Sequence, residues 1–527
     1  MSKPLQNNKY IEVMDTTLRD GEQTSGVSFS ELEKLTMAKK LLADVKVDRI
    51  EIASARVSRG EFEATRKITE WAANNGYLSQ VEVLGFLDGT KSLEWIEQSG
   101  ARVVNLLTKG SINHLKYQLK KSKEEHVEDI RNFIHKATDM GLEVNIFLED
   151  WSNGMNNSKD YVFYYLDNLQ HEPVKRFMLP DTLGILNHNE VYQYCAEMVE
   201  RYPSLHFDFH AHNDYDLSIA NSYAGLNAGM KGVHTTVNGL GERAGNAPLS
   251  SVVGVIKDHT DFETNVDESQ LYPASKLVES FSGVRIPSNK PLIGENVFTQ
   301  TCGVHADGDN KRQLYYNELL PERFGRKRKY ALGKTSGKAN IKKNLEAWGI
   351  SLDRESMEKV TQRVIELGDK KEHVSSEDLP YIVSDVLNTN MVDEKIKVVG
   401  YTLSLTKGLR PVASLNVEID NVQYQETSEG DGQYDAFTKA LKKIYSNLGK
   451  EFPKLMDYMV TIPPGGNTDA LVETIITWEY GGEDFKTRGL DADQTESAIK
   501  ATTKMLNLLE NRMEMKNHGQ RKMQASK

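Results

Sequence analysis

The segment "HAHND" sets His210 and His212 two residues apart. On a strand, side chains at i and i+2 point the same way, about 7 Å from each other, so both can hold one ion. Alone, H-x-H is a weak signal, since two unrelated polar histidines are commoner. Two further stretches strengthen it. "MDTTLRDGEQTSG" (Met14–Gly26) breaks from an apolar run into Asp15, Arg19, Asp20, Glu22 and Gln23, and "NGLGERAGN" ends on Asn246. Asp20, His210, His212 and Asn246 would supply four oxygen and nitrogen ligands and leave two places open on an octahedral ion. That set suits Mn²⁺ or Mg²⁺ best, with a non-tetrahedral Zn²⁺ or Co²⁺ as the alternative. Two adjacent open places are what a 2-oxo acid needs to chelate through ketone and carboxylate, and the ion would polarise the ketone.

These residues need a scaffold that brings them together. Short apolar, β-branched runs recur at 11–14, 47–53, 81–86, 102–108, 143–149, 175–179, 206–212 and 232–238, separated by helical patterns. One such helix should open at Ser30, with Glu33 three residues on as a capping box. Strands alternating with helices predict a parallel sheet. Eight of them match a (β/α)₈ TIM barrel better than the competing doubly wound sheet. A barrel demands chemistry at the C-terminal ends of its strands. Arg19 and Asp20 follow strand one, Glu149 ends strand five, and Asp181–Thr182 follow strand six. His210 and His212 end strand seven, and Asn246 lies after strand eight.

Composition narrows the function classes. The chain has 527 residues, is 39% hydrophobic and carries a formal charge of -11, which argues against nucleic acid as partner. The one basic knot, Phe324–Tyr330, reads as a solvated or phosphate-facing turn. Two cysteines and no apolar N-terminal segment or membrane-length run predict a cytoplasmic protein that engages no membrane. Two motifs are decoys. "GLGERAG" has its last glycine one place late for a dinucleotide fingerprint, and "LGKTSGK" lacks the Walker spacing.

Past the barrel, predicted over 1–290, the pattern changes. Residues 291–394 read as linker subdomains, irregular at first and then helical from about 338. Residues 395–515 repeat a unit of three strands and a helix, an α+β domain suited to binding or regulation, and 516–527 read as a flexible tail.

"DTTLRDGEQ", "HAHND" and "NGLGERAGN", in this order and on these strand ends, resemble the metal-dependent Claisen-condensing synthases on a TIM barrel. That family comprises 2-isopropylmalate, homocitrate and (R)-citramalate synthases. The segments "VDRIEIASARVS", "LNLLTKGS", "LEDWSNG", "LPERFGRKRKYALGK" and "SEGDGQYDAF" are most similar to its citramalate branch. The resemblance implies condensation of acetyl-CoA with a 2-oxo acid and hydrolysis of the thioester. By motif, it implies that Arg19 stabilises the developing alkoxide and Thr182 contacts the oxo acid. Glu149, His305 and Tyr315 would form the proton-transfer set. His305 would reach the neighbouring subunit's barrel, so an active homodimer is implied. A plain ion pair between Glu149 and Arg19 is the structural alternative.

Phe147 shares a strand face with Glu149 and should enter the same mouth, with Leu84 and Leu107 completing an apolar wall. Such a wall leaves space for a methyl but little for an isopropyl, favouring pyruvate over the 2-oxoisovalerate of the rival 2-isopropylmalate synthase. The C-terminal repeat resembles the domain through which these synthases sense an end-product amino acid. Tyr434, Asp435, Leu455 and Tyr458 are the expected effector residues, with isoleucine favoured and leucine the alternative. A lyase on the same barrel and a catalytically dead sensor are the other readings.

Overall fold

All eight apolar runs are strands of one closed parallel barrel, each paired with the next and the last with the first. They are β1 (Glu12–Asp15), β2 (Arg49–Ser54), β3 (Val81–Phe86), β4 (Val103–Lys109), β5 (Glu143–Glu149), β6 (Val174–Asp181), β7 (Phe207–Ala211) and β8 (Gly232–Thr235). The computed structural model describes residues 9–309, 314, 316–369, 374–387, 394–462 and 471–525. The chain divides into two units. One comprises Met1–Thr299 with Tyr316–Arg328, the other Gln300–Tyr315 with Lys329–Lys527.

The helices follow local chemistry. Ser30 caps the helix Glu31–Lys39 through the expected box with Glu33, satisfying donors that the first turn leaves unpaired. Between strands and helices lies one apolar shell that includes Ile52, Val83, Ile146 and Phe209.

The barrel interior is not uniformly apolar. Near the strands' N-terminal ends, Arg49 bonds Glu82 (3.1 Å) and Asp208 (2.5 Å), and His234 meets the same Asp208 (3.1 Å). All four are buried. The β8 strand must begin with Gly232, because a Cβ there would lie 2.1 Å from an Asp208 oxygen. Met14, Leu84, Phe147 and Met178 form a separate apolar cluster inside the barrel, with Phe86 and Leu107 against it.

In the second unit, the helices Lys338–Ala347, Arg354–Asp369 and Leu379–Leu387 pack around Ile341, Val360 and Val383. Two three-stranded antiparallel sheets follow, Ile396–Ser404, Val412–Ile419 and Val422–Glu429, then Lys454–Thr461, Val472–Tyr480 and Glu483–Asp491. Each is followed by a helix, Gln433–Asn447 and Gln494–Ala525, and both halves share a single core containing Phe437, Trp478 and Met505. The last helix continues through 516–525, where the sequence reading expects a tail. Among the described residues, no helix is long and apolar enough to cross a membrane.

The basic knot is solvated at Lys327 and Lys329, both exposed, while the half-buried Arg326 donates to the carbonyls of Leu292 (3.1 Å) and Gly294 (2.8 Å) and stacks over Tyr272. A planar guanidinium with several donors suits a cluster of backbone acceptors.

Candidate active site

The loop after β1 carries Arg19 and Asp20 over the C-terminal end of the barrel. Its turn closes on backbone bonds from Arg19, Asp20 and Gly21 to the Thr16 carbonyl. A buried lysine braces it from below. The Lys34 ammonium donates to the Leu18 carbonyl (3.0 Å) and pairs with Glu22 and Glu61, both at 2.6 Å.

Asp20, His210 and His212 converge, with one ligand atom from each within 4.8 Å of the others. The His210 Nε2 lies 3.3 Å from an Asp20 oxygen. Asn246 joins them through an isolated antiparallel bridge to His212. Its Nδ2 donates to the Leu240 carbonyl (3.1 Å), which turns its Oδ1 the other way. Gly241, at φ +153°, permits this clasp, since a Cβ there would lie 2.2 Å from the Asn246 amide nitrogen.

The four side chains share one signature. Asp20 Oδ1, Asn246 Oδ1 and the Nδ1 atoms of His210 and His212 are buried with no hydrogen-bond partner among the described residues. Buried polar atoms are nearly always satisfied, so several such atoms on converging side chains mark a place for a ligand. Burial opposes the charge on Asp20, yet the neighbouring Arg19 and the two histidines hold its carboxyl well below the ordinary range. Burial, then the adjacent His210 ring, brings His212 down to about 4. An ionised carboxylate beside a neutral imidazole is the donor state a divalent cation requires. The residues present therefore fit the predicted ion.

Arg19 is held for a different task. Its Nε donates to Glu51 (2.5 Å) and its Nη1 lies 3.4 Å from Asp20. Glu51 in turn accepts from Asn105 (2.8 Å), and Asn145 donates to Asn105 (3.0 Å). Burial raises the Glu51 carboxyl, against the pull of Arg19 and Asn105. The Arg19 guanidinium lies over the Phe147 ring (5.7 Å), and that ring meets His210 edge-on (6.0 Å). Leu84 and Leu107 lie in the same apolar group as Phe147, with Leu107 only half-buried.

Glu149 pairs not with Arg19 but with Lys109, at the adjacent end of β4. Thr182 is half-buried, and its hydroxyl accepts from the Asp150 N–H (2.9 Å), leaving its own O–H free to donate. His305 lies in the second unit, on the helix Gly303–Asp309, and Tyr315 falls outside the described residues.

Of the expected effector residues, Tyr434 and Tyr458 meet, with ring centroids 5.3 Å apart. The Tyr434 hydroxyl bonds Thr502 (2.7 Å), and burial pushes its pKa up to about 12. Asp435 pairs with Lys439 one turn along its own helix (2.7 Å), while Leu455 stands exposed on its strand.

Glu51, Asn105, Asn145 and Lys109 escaped the sequence reading. Their signal was present: Arg49 and Glu51 alternate with isoleucine inside a strand, and Lys109 lies two beyond Leu107 on one face.

Three family models match the chain. An HMGL-like model covers residues 10–278, a homocitrate synthase post-HMGL domain-like model 292–372, and a LeuA allosteric (dimerisation) domain model 373–510. A probable 2-isopropylmalate synthase of Methanopyrus kandleri is 35% identical, over 95% of this chain and 99% of its own length. An (R)-citramalate synthase of Methanocaldococcus jannaschii is 33% identical, over 95% and 100%. Among solved structures, the hydroxymethylglutaryl-CoA lyase of Pseudomonas aeruginosa matches 53% of this chain and 95% of its own, at 19% identity and a TM-score of 0.46.

Proposed function

The chain belongs to the family of 2-isopropylmalate and (R)-citramalate synthases, divalent-metal-dependent condensing acyltransferases, and we propose that its acceptor is pyruvate. The reaction would join acetyl-CoA, pyruvate and water to give (R)-citramalate and CoA, the first step of a threonine-independent route to isoleucine. Relatives named for either acceptor differ by only two points of identity, so the pocket has to supply the argument.

The observation that carries this reading is Phe147. Its ring lies beneath Arg19 and edge-on to His210, with Leu84 beside it, so a bulky aromatic fills the space next to the reacting centre. A methyl substituent on the oxo acid fits beside such a ring, whereas an isopropyl group meets it.

Asp20, His210, His212 and Asn246 would hold the ion, with Mn²⁺ or Mg²⁺ favoured. The chemistry such an ion supplies when bound is polarisation of the acceptor ketone. The chain's own residues do the rest. Thr182 would donate to the oxo-acid carboxylate. Glu149, with His305 and Tyr315, would take a proton from the acetyl methyl group, and the resulting enolate carbon attacks the ketone. Arg19, held by Glu51, would stabilise the alkoxide that forms. Water then cleaves the thioester and releases CoA. The resemblance assigns His305 and Tyr315 to the neighbouring subunit's site, so the active form would be a homodimer. The domain at 373–510 would carry amino-acid feedback, with isoleucine favoured as effector and Tyr434, Asp435, Leu455 and Tyr458 as its contacts.

The test is CoA release from acetyl-CoA with Mn²⁺ or Mg²⁺, offering pyruvate, 2-oxobutyrate, 2-oxoisovalerate and 2-oxoglutarate in parallel. A clear preference for pyruvate supports the reading. A preference for 2-oxoisovalerate overturns the pocket argument and makes the enzyme a 2-isopropylmalate synthase.

A further inference from the structure

We propose that Lys109 is a positioning residue that fixes the Glu149 carboxylate, an inference that rests on Glu149 acting as the base. Strands β4 and β5 pair in parallel, with Asn105 opposite Asn145, Leu107 opposite Phe147 and Lys109 opposite Glu149. Side chains alternate along a strand, so these three rungs share one face. That face points into the barrel: the two asparagines bond each other inside it, and Leu107 packs with Phe147 in the interior cluster. The Lys109–Glu149 pair is therefore the next rung toward the mouth.

The two partners are unequally exposed. The Lys109 side chain is 9% exposed and that of Glu149 25%, so the ammonium lies behind and the carboxylate in front. The contact uses Oε2 of Glu149. Oε1 is thereby left to receive the proton. A lysine with a long flexible stem at a strand end ordinarily reaches water. Here its backbone is pinned instead. The Tyr161 hydroxyl donates to the Lys109 carbonyl (3.0 Å), and Gly110 N–H donates to that of Glu149 (2.6 Å).

The residue after Glu149 is fixed as well. Asp150 adopts a left-handed backbone (φ +66°), and its carboxylate accepts from Ser111 (2.6 Å) and Asn153 (2.8 Å). Lys109 from β4 contacts Glu149, and Arg19 from the loop after β1 feels its charge. Lys109 thus holds the carboxylate in place and selects which oxygen works.

The experiment measures kcat and both KM values for the full-length enzyme and its K109M, K109Q, K109R and E149Q variants, with acetyl-CoA, the preferred oxo acid and Mn²⁺, beside their thermal midpoints. In K109M and K109Q, kcat should fall by about 10–100-fold with both KM values nearly unchanged. K109R should restore much of the rate. A salt bridge that merely ties β4 to β5 would lower thermal stability but leave kcat in place. Wild-type kcat in both K109M and K109Q, beside an inactive E149Q, would overturn the proposal. An E149Q enzyme as active as wild type would instead remove the base itself, and with it the role given to Lys109.

Discussion

Two buried polar clusters lie inside one barrel and are built on opposite principles. At the N-terminal ends of the strands, Arg49, Glu82, Asp208 and His234 neutralise one another, and each carboxylate has a cation or imidazole in reach. At the C-terminal ends, Asp20, His210, His212 and Asn246 converge, yet two oxygens and two ring nitrogens are left without partners. Both clusters are buried, so burial does not distinguish them. The first matches its carboxylates to a guanidinium and an imidazole and leaves Arg49 Nε and His234 Nδ1 without a hydrogen-bond partner among the described residues, whereas the second carries an unpartnered atom on each of its four converging side chains and is the candidate ligand site.

The difference can be broken most forcefully at the mouth. Asp20→Asn should lower CoA release by about a thousandfold, the loss of several kcal/mol of transition-state stabilisation. Bound metal, measured on the purified protein, should fall with it, while the unfolding midpoint in chelator stays near wild type.

At the base the outcome should invert. Arg49→Met leaves the buried Glu82 carboxylate without its cation and Asp208 with only its two histidines, with a cost of about 3–5 kcal/mol in denaturant unfolding. Folded R49M protein should keep its metal affinity.

A third buried group sharpens the contrast. His126, in the helix Lys123–Asp139, bonds Tyr161 through Nδ1 (2.7 Å), while its Nε2 has no partner among the described residues. Burial brings its pKa down to about 4. Between pH 4 and the ordinary 6.5 the unfolded chain binds the proton and the folded one does not, so stability rises with pH there. Lowering the pH from 7 to 5 should cost the barrel about 2 kcal/mol through this group. His126→Gln should flatten that part of the stability profile without touching turnover. An orphaned polar atom standing alone is a liability of folding; two oxygens and two nitrogens on converging side chains are a candidate site.

The smallest effect belongs to the apolar cluster that touches both networks. Phe147→Ser should raise the kcat/KM ratio of 2-oxoisovalerate to pyruvate by about tenfold, measured over the same acid panel. An unchanged ratio would dissociate Phe147 from the acceptor pocket.

Much of this was legible in the sequence because barrel strands are buried on both faces and announce themselves as short β-branched runs. The ligands were legible because polar residues at strand ends have few other reasons to be there. What escaped depends on register between distant strands. Nothing near Glu149 names Lys109, forty residues earlier, as its partner, and the reading that ended β4 at Thr108 left that lysine outside the barrel. The bond of Glu51 to both Arg19 and Asn105 is likewise a product of closure rather than of local pattern. In the C-terminal domain, the rings of Tyr434 and Tyr458 lie 5.3 Å apart, while Asp435 pairs with Lys439 on its own helix, a contact available to any i,i+4 pair.

The ring of Phe147 stands edge-on to His210 on the mouth side and to His234 on the base side. On the proposed reading, one side chain is a wall of the acceptor pocket and also a seal over the charge network beneath. A lineage that trims this residue to admit a larger oxo acid opens a path for water to Asp208 and His234 in the same step. On that reading substrate range and internal dryness would be inherited together at position 147, and a descendant that broadens the first would have to restore the second from its packing neighbours Met14, Leu84 or Met178.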